Sequence, residues 1–151
     1  MSKVTFNNSN NEFYQSLKKS IDDYFASRRL KKTGNWRLYS KAVILILLAI
    51  GLYICLMTLH LPVLASIGIC MVMGVTLASI GFNVMHDACH GSFSSKEWVN
   101  NSVGMSLNAL GAVSFFWKQK HNIIHHTYTN IDGIDDDIAK SPVIQIGRAH
   151  V

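Results

Sequence analysis

Charged side chains are missing from a long central stretch of the chain. From Ala42 to Met85 there is no Asp, Glu, Lys or Arg, and a single histidine is the one readily ionised residue. About 20 apolar residues suffice to cross the hydrocarbon core of a bilayer, so the stretch is long enough for two crossings. Pro62 divides it, because proline disfavours helix at the residue before it. We therefore predict a transmembrane hairpin with helices at about residues 40–59 and 62–85.

A buried helical hairpin of a soluble protein is the alternative interpretation of this stretch. Residues 42–50 are apolar on every face of a helix, which disfavours that alternative. A cleaved signal peptide is also disfavoured, because the apolar run starts too far from Met1. The lone His60 falls between the two helices, and we expect it to be a turn residue at the outer interface.

Cysteine is scarce, which excludes a disulfide framework. Of the three cysteines, Cys55 and Cys70 fall within the predicted spans and Cys89 falls between two histidines. We expect Cys89 to lie on the reducing, cytoplasmic side. Its thiol is a conceivable metal ligand, but a filler role between the histidines is the favoured interpretation.

Positive charge is concentrated just before the first span. The net charge is +5, and six basic residues without an acid among them precede the span: Arg28, Arg29, Lys31, Lys32, Arg37 and Lys41. Positive residues stay on the cytoplasmic side of a membrane, so this flank sets the orientation. The hairpin then returns the chain to the cytoplasm. We interpret the basic flank as an anchor to anionic lipid heads, with no nucleic-acid partner.

Residues 1–41 are predicted to form a cytoplasmic segment with an amphipathic helix. Ser9 and Glu12 have the spacing of a capping box, and apolar residues recur at helical spacing from Phe13 onwards. We expect the helix to end near Gly34, as a C-cap residue. Its apolar face lies on the membrane or on the rest of a catalytic domain, or else the helix is a mobile surface element.

Five of the seven histidines fall in two short clusters. We define the first histidine cluster as residues 86–90 and the second as residues 121–126, and their histidines are His86, His90, His121, His125 and His126. Each cluster begins with two histidines four apart, which on a helix places both rings on one face. His126 is expected about 100° away from His125 around an α-helix. Imidazole is the commonest metal ligand, so the pattern predicts a metal centre.

Several familiar metal motifs are absent from these clusters. There is no H-E-x-x-H protease motif, no cysteine-rich zinc spacing and no Glu-x-x-His pair of a ferritin-type bundle. What remains is an all-imidazole site at a membrane surface. Neutral imidazoles leave the charge of an iron ion uncompensated, which suits activation of dioxygen against an unactivated C–H bond.

The segments around the second cluster carry softer signals. Residues 98–117 are apolar but rich in Asn, Ser and Gly, which predicts a helix at the interface or one lining a cavity. An acidic stretch with Asp132, Asp135, Asp136 and Asp137 follows the second cluster, and a solvated loop is favoured over a ligand role. Asp87 is either a hydrogen-bond partner of a metal-bound imidazole or a solvated charge at a helix end.

At its histidines the chain resembles the membrane fatty acid desaturases. That family carries three histidine boxes, H-x(3–4)-H, H-x(2–3)-H-H and (H/Q)-x(2–3)-H-H. The run HDACH at residues 86–90 matches the first box, and HNIIHH at residues 121–126 matches the second. The surroundings are most similar to bacterial linoleoyl-CoA or acyl-lipid desaturases of the front-end type. The resemblance extends from about Val4 to Val143, and residues 42–145 are expected to be the N-terminal part of a desaturase domain.

The resemblance implies both a fold and a reaction. The fold is an all-α membrane protein in which interfacial or cytoplasmic helices carry the two boxes, in a bacterial inner membrane. The cofactor implied is a pair of iron ions, with His86, His90, His121, His125 and His126 among the ligands. Dioxygen, a fatty acyl substrate on CoA or lipid, and an electron donor such as ferredoxin or a b-type cytochrome complete the system. The reaction leaves a cis double bond.

One departure from the family pattern limits this expectation. The third box and a second hairpin are absent from the 151 residues, so the di-iron site is expected to be incomplete and the chain alone to be inactive. Residues 146–151 can be encoded by a common sequencing-library adapter, and we expect them to be an artefact outside the fold.

Two other functions remain open at this point. The parent enzyme could be a related histidine-box hydroxylase or a desaturase of sphingolipids or sterols. The chain could instead be a non-catalytic membrane protein that binds zinc or another metal through the same histidines. Stoichiometric zinc without iron in the purified protein would favour the second alternative.

Overall fold

Helices account for all the regular secondary structure of the described residues. The computed structural model describes residues 11–131, 133–135 and 137. The elements are α1 (Glu12–Ser27), α2 (Trp36–Thr58), α3 (Val63–Ile80), π1 (Gly81–Met85), α4 (His86–Cys89), α5 (Glu97–Gly104), α6 (Ser106–Ala109), α7 (Ser114–Trp117) and π2 (Lys118–His125). The all-α prediction is therefore confirmed for this part of the chain. The predictions for Ser9, Asp132, Asp136 and residues 146–151 lie outside the described residues.

The first helix ends earlier than the sequence predicts. α1 stops at Ser27, and Arg29 adopts a left-handed conformation with φ of 51°. The backbone N–H groups of Arg28 and Leu30 donate to the carbonyls of Tyr24 and Phe25, which closes the last turn. No residue of α1 is buried, so this helix presents its whole surface outside the packed part of the molecule.

Gly34 has a role other than the predicted helix cap. Its N–H donates to the carbonyl of Ser92 at 2.9 Å, and a Cβ at this position would overlap the carbonyl oxygen of Phe93. Only glycine permits so close a backbone approach. Gly34 therefore joins the segment before α2 to the turn that follows the first histidine cluster.

Two long apolar helices form the centre of the chain, as predicted. The side chain of Asn35 caps α2 by accepting from the N–H groups of Arg37 and Leu38 at 3.0 and 3.4 Å. α2 and the continuous helical stretch Val63–Cys89 are each long and apolar enough to cross a membrane by length and composition. Only 6% and 11% of their apolar windows are buried. Their apolar side chains therefore face outward, unlike those of a soluble core helix.

The packed core lies at the histidine-bearing end of these helices. Ala42, near the start of α2, is buried against the last turns of the second stretch, so the two helices run antiparallel. The buried members of this core are Ala42, Ile80, Val84, Ala88 and Phe93. Lys41 strengthens the junction, because its Nζ donates to Oδ1 of Asn83 at 2.9 Å. The base of the first histidine cluster is thereby fixed to α2.

A π-helical turn, π1, connects α3 to the first histidine cluster. Such turns hold one more residue than an α-turn and occur frequently at functional sites. The extra residue turns the face of α4 relative to that of α3. The sequence predicts that the second apolar helix continues into the first cluster, and the described helix does continue, with π1 setting its rotation.

The prediction of one continuous helix over residues 98–117 is wrong. The segment is divided into α5, α6 and α7. Gly111, with φ of 90°, makes the turn after α6, and Asn108 Oδ1 accepts from the N–H of Ser114 at 3.0 Å to start α7. Glycine and asparagine are the residues that favour such turns. The break returns the chain so that π2 lies beside α4.

Candidate metal centre

The first histidine cluster presents two imidazoles side by side. His86 opens α4 and His90 follows its last residue, and their ring centroids are 4.4 Å apart. The four-residue spacing produces this pairing, as the sequence predicts. The Sγ of Cys89 instead faces α5, where it lies 4.0 Å from the carbonyl oxygen of Gly104. The geometry therefore agrees with a filler role for Cys89.

The second histidine cluster lies on a π-helix, which the sequence did not indicate. In an α-helix, His126 would be turned well away from His121, because the period is 3.6 residues. The five-residue hydrogen bonding of π2 instead brings them one above the other, with ring centroids 5.0 Å apart. His125 stacks on His121 at 5.0 Å. All three rings of the second cluster therefore converge.

The two clusters meet face to face. His121 lies 5.3 Å from both His86 and His90, and His90 lies 4.9 Å from His126, measured between ring centroids. Donor atoms of His86, His90 and His121 all lie within 4.8 Å of one another. A second group with the same spacing is formed by His121, His125 and Asp137. His121 belongs to both groups and is the centre of the arrangement.

Two side chains that the sequence did not connect with the site hold the clusters together. Asn122 Nδ2 donates to the carbonyl of Cys89 at 2.9 Å, which ties π2 to α4. The indole of Trp117 stacks on the ring of His121 at 4.4 Å and meets His86 and His90 edge-on at 5.6 and 5.8 Å. Both residues lie within one turn of His121, but only the tertiary structure reveals these contacts.

Carboxylates reach the Nδ1 atoms of two histidines. Asp137 Oδ2 lies 2.7 Å from His121 Nδ1, and Asp135 Oδ1 and Oδ2 lie 3.0 and 2.9 Å from His125 Nδ1. An ionised carboxylate can only accept, so each histidine donates its Nδ1–H, and in the neutral ring this leaves the lone pair on Nε2. Metal-bound histidines characteristically make this hydrogen bond. The prediction of a solvated acidic loop is wrong for Asp135, which is 3% exposed.

Both carboxylates are stabilised in their ionised form. Burial alone would raise the pKa of Asp135, but hydrogen bonds from His125 and from the backbone N–H groups of Asn130 and Asp137 outweigh it, and the pKa is lowered. Burial opposes the same outcome at Asp137, where hydrogen bonds from His121 and Lys120 lower the pKa. The two acceptors are therefore charged at neutral pH.

His90 is held neutral. Burial, followed by the neighbouring imidazoles of His86 and His126, lowers the pKa of His90 to about 4. A neutral imidazole has a lone pair available at physiological pH, which a metal ion requires. By contrast, Asp87 Oδ1 lies 3.6 Å from His86 Nδ1, too far for a hydrogen bond. Both predicted roles for Asp87 therefore stay predictions.

The residues present fit a metal centre of the imidazole type. Nitrogen donors converge from two helices, and carboxylates on the outer side orient two of the rings. Imidazole suits iron, copper and zinc, whereas Mg²⁺ and Ca²⁺ prefer oxygen. The donor set therefore favours a transition metal.

Comparison with known proteins identifies the family. The sequence model described as fatty acid desaturase matches residues 61–149, a range that includes both histidine clusters. The chain belongs to the fatty acid desaturase family. The resemblance predicted from the two histidine boxes is thereby confirmed.

Individual desaturases of three organisms are similar to most of the chain. An sn-1 linoleoyl-lipid 6-desaturase of Synechocystis is 38% identical over 83% of the chain and 35% of its own length. An enzyme of the same name from Arthrospira platensis is 32% identical over 96% of the chain and 39% of its own length. An acyl-lipid (8-3)-desaturase of Physcomitrium patens is 31% identical over 90% of the chain and 28% of its own length.

The chain thus spans less than two fifths of the length of these desaturases. No solved structure matches it.

Proposed function

We propose that this chain supplies five iron ligands, His86, His90, His121, His125 and His126, to the di-iron centre of a membrane fatty acid desaturase. The observation that carries the proposal is the convergence of two histidine clusters, with His121 5.3 Å from both rings of the first cluster, in a chain of the desaturase family. A di-iron centre supplies the activation of dioxygen that removes two vicinal hydrogens from an acyl chain.

The protein groups contribute orientation and protonation state. Asp135 and Asp137 accept from His125 and His121, which leaves the Nε2 atoms of these rings free to bind metal. The stacked indole of Trp117 covers one side of His121. Because His90 is neutral at physiological pH, it binds metal without first losing a proton.

We propose a fatty acyl group on a lipid as the substrate. The relatives from Synechocystis and Arthrospira are named linoleoyl-lipid desaturases, and the one from Physcomitrium is named an acyl-lipid desaturase. The outward-facing apolar helices support placement in a bilayer, where such a lipid resides. The basic flank before α2 supports cytoplasmic histidine clusters. The membrane that we propose is a bacterial inner membrane. A ferredoxin or a b-type cytochrome is the proposed electron donor.

We further propose that the 151 residues alone have no desaturase activity, because a third histidine box is absent from them. The test compares the chain alone with the chain joined to the C-terminal part of the Synechocystis enzyme. Both are expressed in a host that makes linoleoyl lipids, and the acyl chains are analysed by mass spectrometry.

The expected result is a new double bond with the joined protein only, and its loss in the His121→Ala variant. A new double bond formed by the chain alone would contradict the inactivity proposal. Stoichiometric zinc without iron in the purified joined protein would contradict the di-iron proposal.

A further inference from the structure

The loop after the second histidine cluster turns back onto that cluster. Thr129 Oγ1 donates to the carbonyl of His125 at 2.6 Å, and Asn130 adopts a left-handed conformation with φ of 64°. Asparagine tolerates this conformation better than most residues. The reversal brings Asp135 beside His125 although ten residues separate them in sequence.

The side chain of Asp135 is held in place by burial and by hydrogen bonds to both of its oxygens. Its side chain is fully buried, and its two oxygens accept from His125 Nδ1 and from the backbone N–H groups of Asn130 and Asp137 at 2.9 and 3.1 Å. A carboxylate bonded by two backbone groups cannot turn away from the ring. The orientation of His125 is therefore set by the loop backbone.

Asp137 is held from its other side by a cation. Its Oδ2 accepts from His121 Nδ1 at 2.7 Å, while its Oδ1 lies 3.3 Å from Nζ of Lys120. Lys120 and His121 are neighbours on π2, so the carboxylate bridges two consecutive residues. Such a bridge restrains the ring of His121, which is common to both groups of potential metal ligands.

We propose that Asp135 and Asp137 are positioning residues that fix the tautomers of His125 and His121 and aim their Nε2 atoms at the metal. This inference rests on the proposed metal-binding function of the two clusters. Partners of this kind typically change metal affinity about 10- to 100-fold when they are removed. Replacing the carboxylate by an amide allows a hydrogen bond to the unprotonated Nδ1, which favours the Nε2–H tautomer that cannot bind metal through Nε2.

The first test observes the tautomers directly, without metal. The 151-residue chain, labelled with ¹⁵N in its histidines and placed in lipid nanodiscs, gives two-bond ¹H–¹⁵N correlations that distinguish the two ring nitrogens. We expect His121 and His125 to carry the proton on Nδ1. Signals from either ring with a proton on Nε2 and none on Nδ1 would overturn the proposal for that residue, whatever the variants do.

The second test measures Co²⁺ affinity by competition with a chromophoric chelator. Asp135→Asn and Asp137→Asn are each expected to weaken binding about 10- to 100-fold and to shift the partner ring to the Nε2–H tautomer. Asp137→Glu keeps the acceptor on a partly exposed side chain and is expected to restore binding to within a few-fold of wild type. Asp23→Asn, an exposed carboxylate on α1, is the control and should bind as wild type.

A further variant, His125→Ala, separates failure of this inference from failure of the proposed function. If His125→Ala weakens Co²⁺ binding while both Asp→Asn variants bind as wild type, the positioning role is wrong and the metal-binding role stands. If His125→Ala itself binds Co²⁺ as wild type, the proposed ligand role of His125 is wrong, and the positioning role of Asp135 is wrong with it.

Discussion

The two histidine clusters lie against each other but differ in what orients their rings. In the second cluster, His121 and His125 donate to carboxylates at 2.7 and 2.9 Å. In the first, the carboxylate of Asp87 approaches His86 only to 3.6 Å. In the first cluster, the helix and its packed base set the orientation of the rings. In the second, a loop that folds back onto the cluster sets it. The difference indicates that contacts within the protein orient the rings of the second cluster more firmly than those of the first.

The largest effect is expected for the residue common to both groups of ligands. His121→Ala removes a donor that lies beside both clusters, so we expect a loss of Co²⁺ affinity larger than the about 100-fold upper limit for an outer partner. His60→Ala, at the opposite end of α2, is the matched control and should bind as wild type. Equal affinities for the two variants would show that His121 is not a ligand.

A smaller effect is expected for the hydrogen bond between the clusters. Asn122→Ala leaves the carbonyl of Cys89 without this donor, at a cost of about 1–3 kcal/mol. We expect Co²⁺ affinity to fall about tenfold because π2 is no longer tied to α4. Asn101→Ala removes an exposed contact with Lys118 and is the control. If Asn122→Ala and Asn101→Ala bind Co²⁺ with equal affinity, the hydrogen bond from Asn122 to Cys89 does not set the geometry of the site.

Removal of the stacked indole should have a moderate effect. Aromatic pairs contribute about 0.5–1.5 kcal/mol beyond burial, so Trp117→Leu should weaken Co²⁺ binding roughly two- to tenfold. Trp98→Leu, at a ring that is 68% exposed, provides the control. An unchanged affinity for Trp117→Leu would mean that stacking does not restrain His121.

The smallest effect is expected at the carboxylate of the first cluster. Asp87→Asn should change Co²⁺ affinity less than twofold, because a contact of 3.6 Å at a partly exposed carboxylate contributes little. Isothermal titration of the variant beside Asp137→Asn gives the comparison. A loss as large as that of Asp137→Asn would remove the difference between the clusters.

Composition and spacing predicted the two apolar helices, the pairing of histidines within the first cluster and the family. The absence of charge delimited the apolar stretch, and Pro62 placed the junction within it. In the structure α2 ends at Thr58 and α3 begins at Val63. These features are local, so the sequence contains them directly. Family membership also followed from short motifs, because the histidine spacing of the two boxes is characteristic of the desaturase family.

The sequence did not predict the features that depend on backbone departures from regular α-helix. The wider turn of π2 brings His126 to His121, and a period of 3.6 residues cannot indicate it. The positive φ of Arg29 ended α1 early, and that of Asn130 turned Asp135 towards His125. Each of these departures is a backbone conformation of one residue, and it is stabilised by tertiary contacts that the sequence pattern does not show. The sequence patterns therefore identify the candidate ligands but not the contacts that orient them.

The most direct test of the central claim, that both clusters bind one metal centre, is X-ray absorption at the cobalt edge of the Co²⁺-loaded chain in nanodiscs. We predict imidazole scattering from at least three rings in the wild type, and fewer rings in both His90→Ala and His125→Ala. A spectrum unchanged from wild type in either variant would contradict the claim, because the ion would then be bound without the histidine that each cluster is predicted to supply.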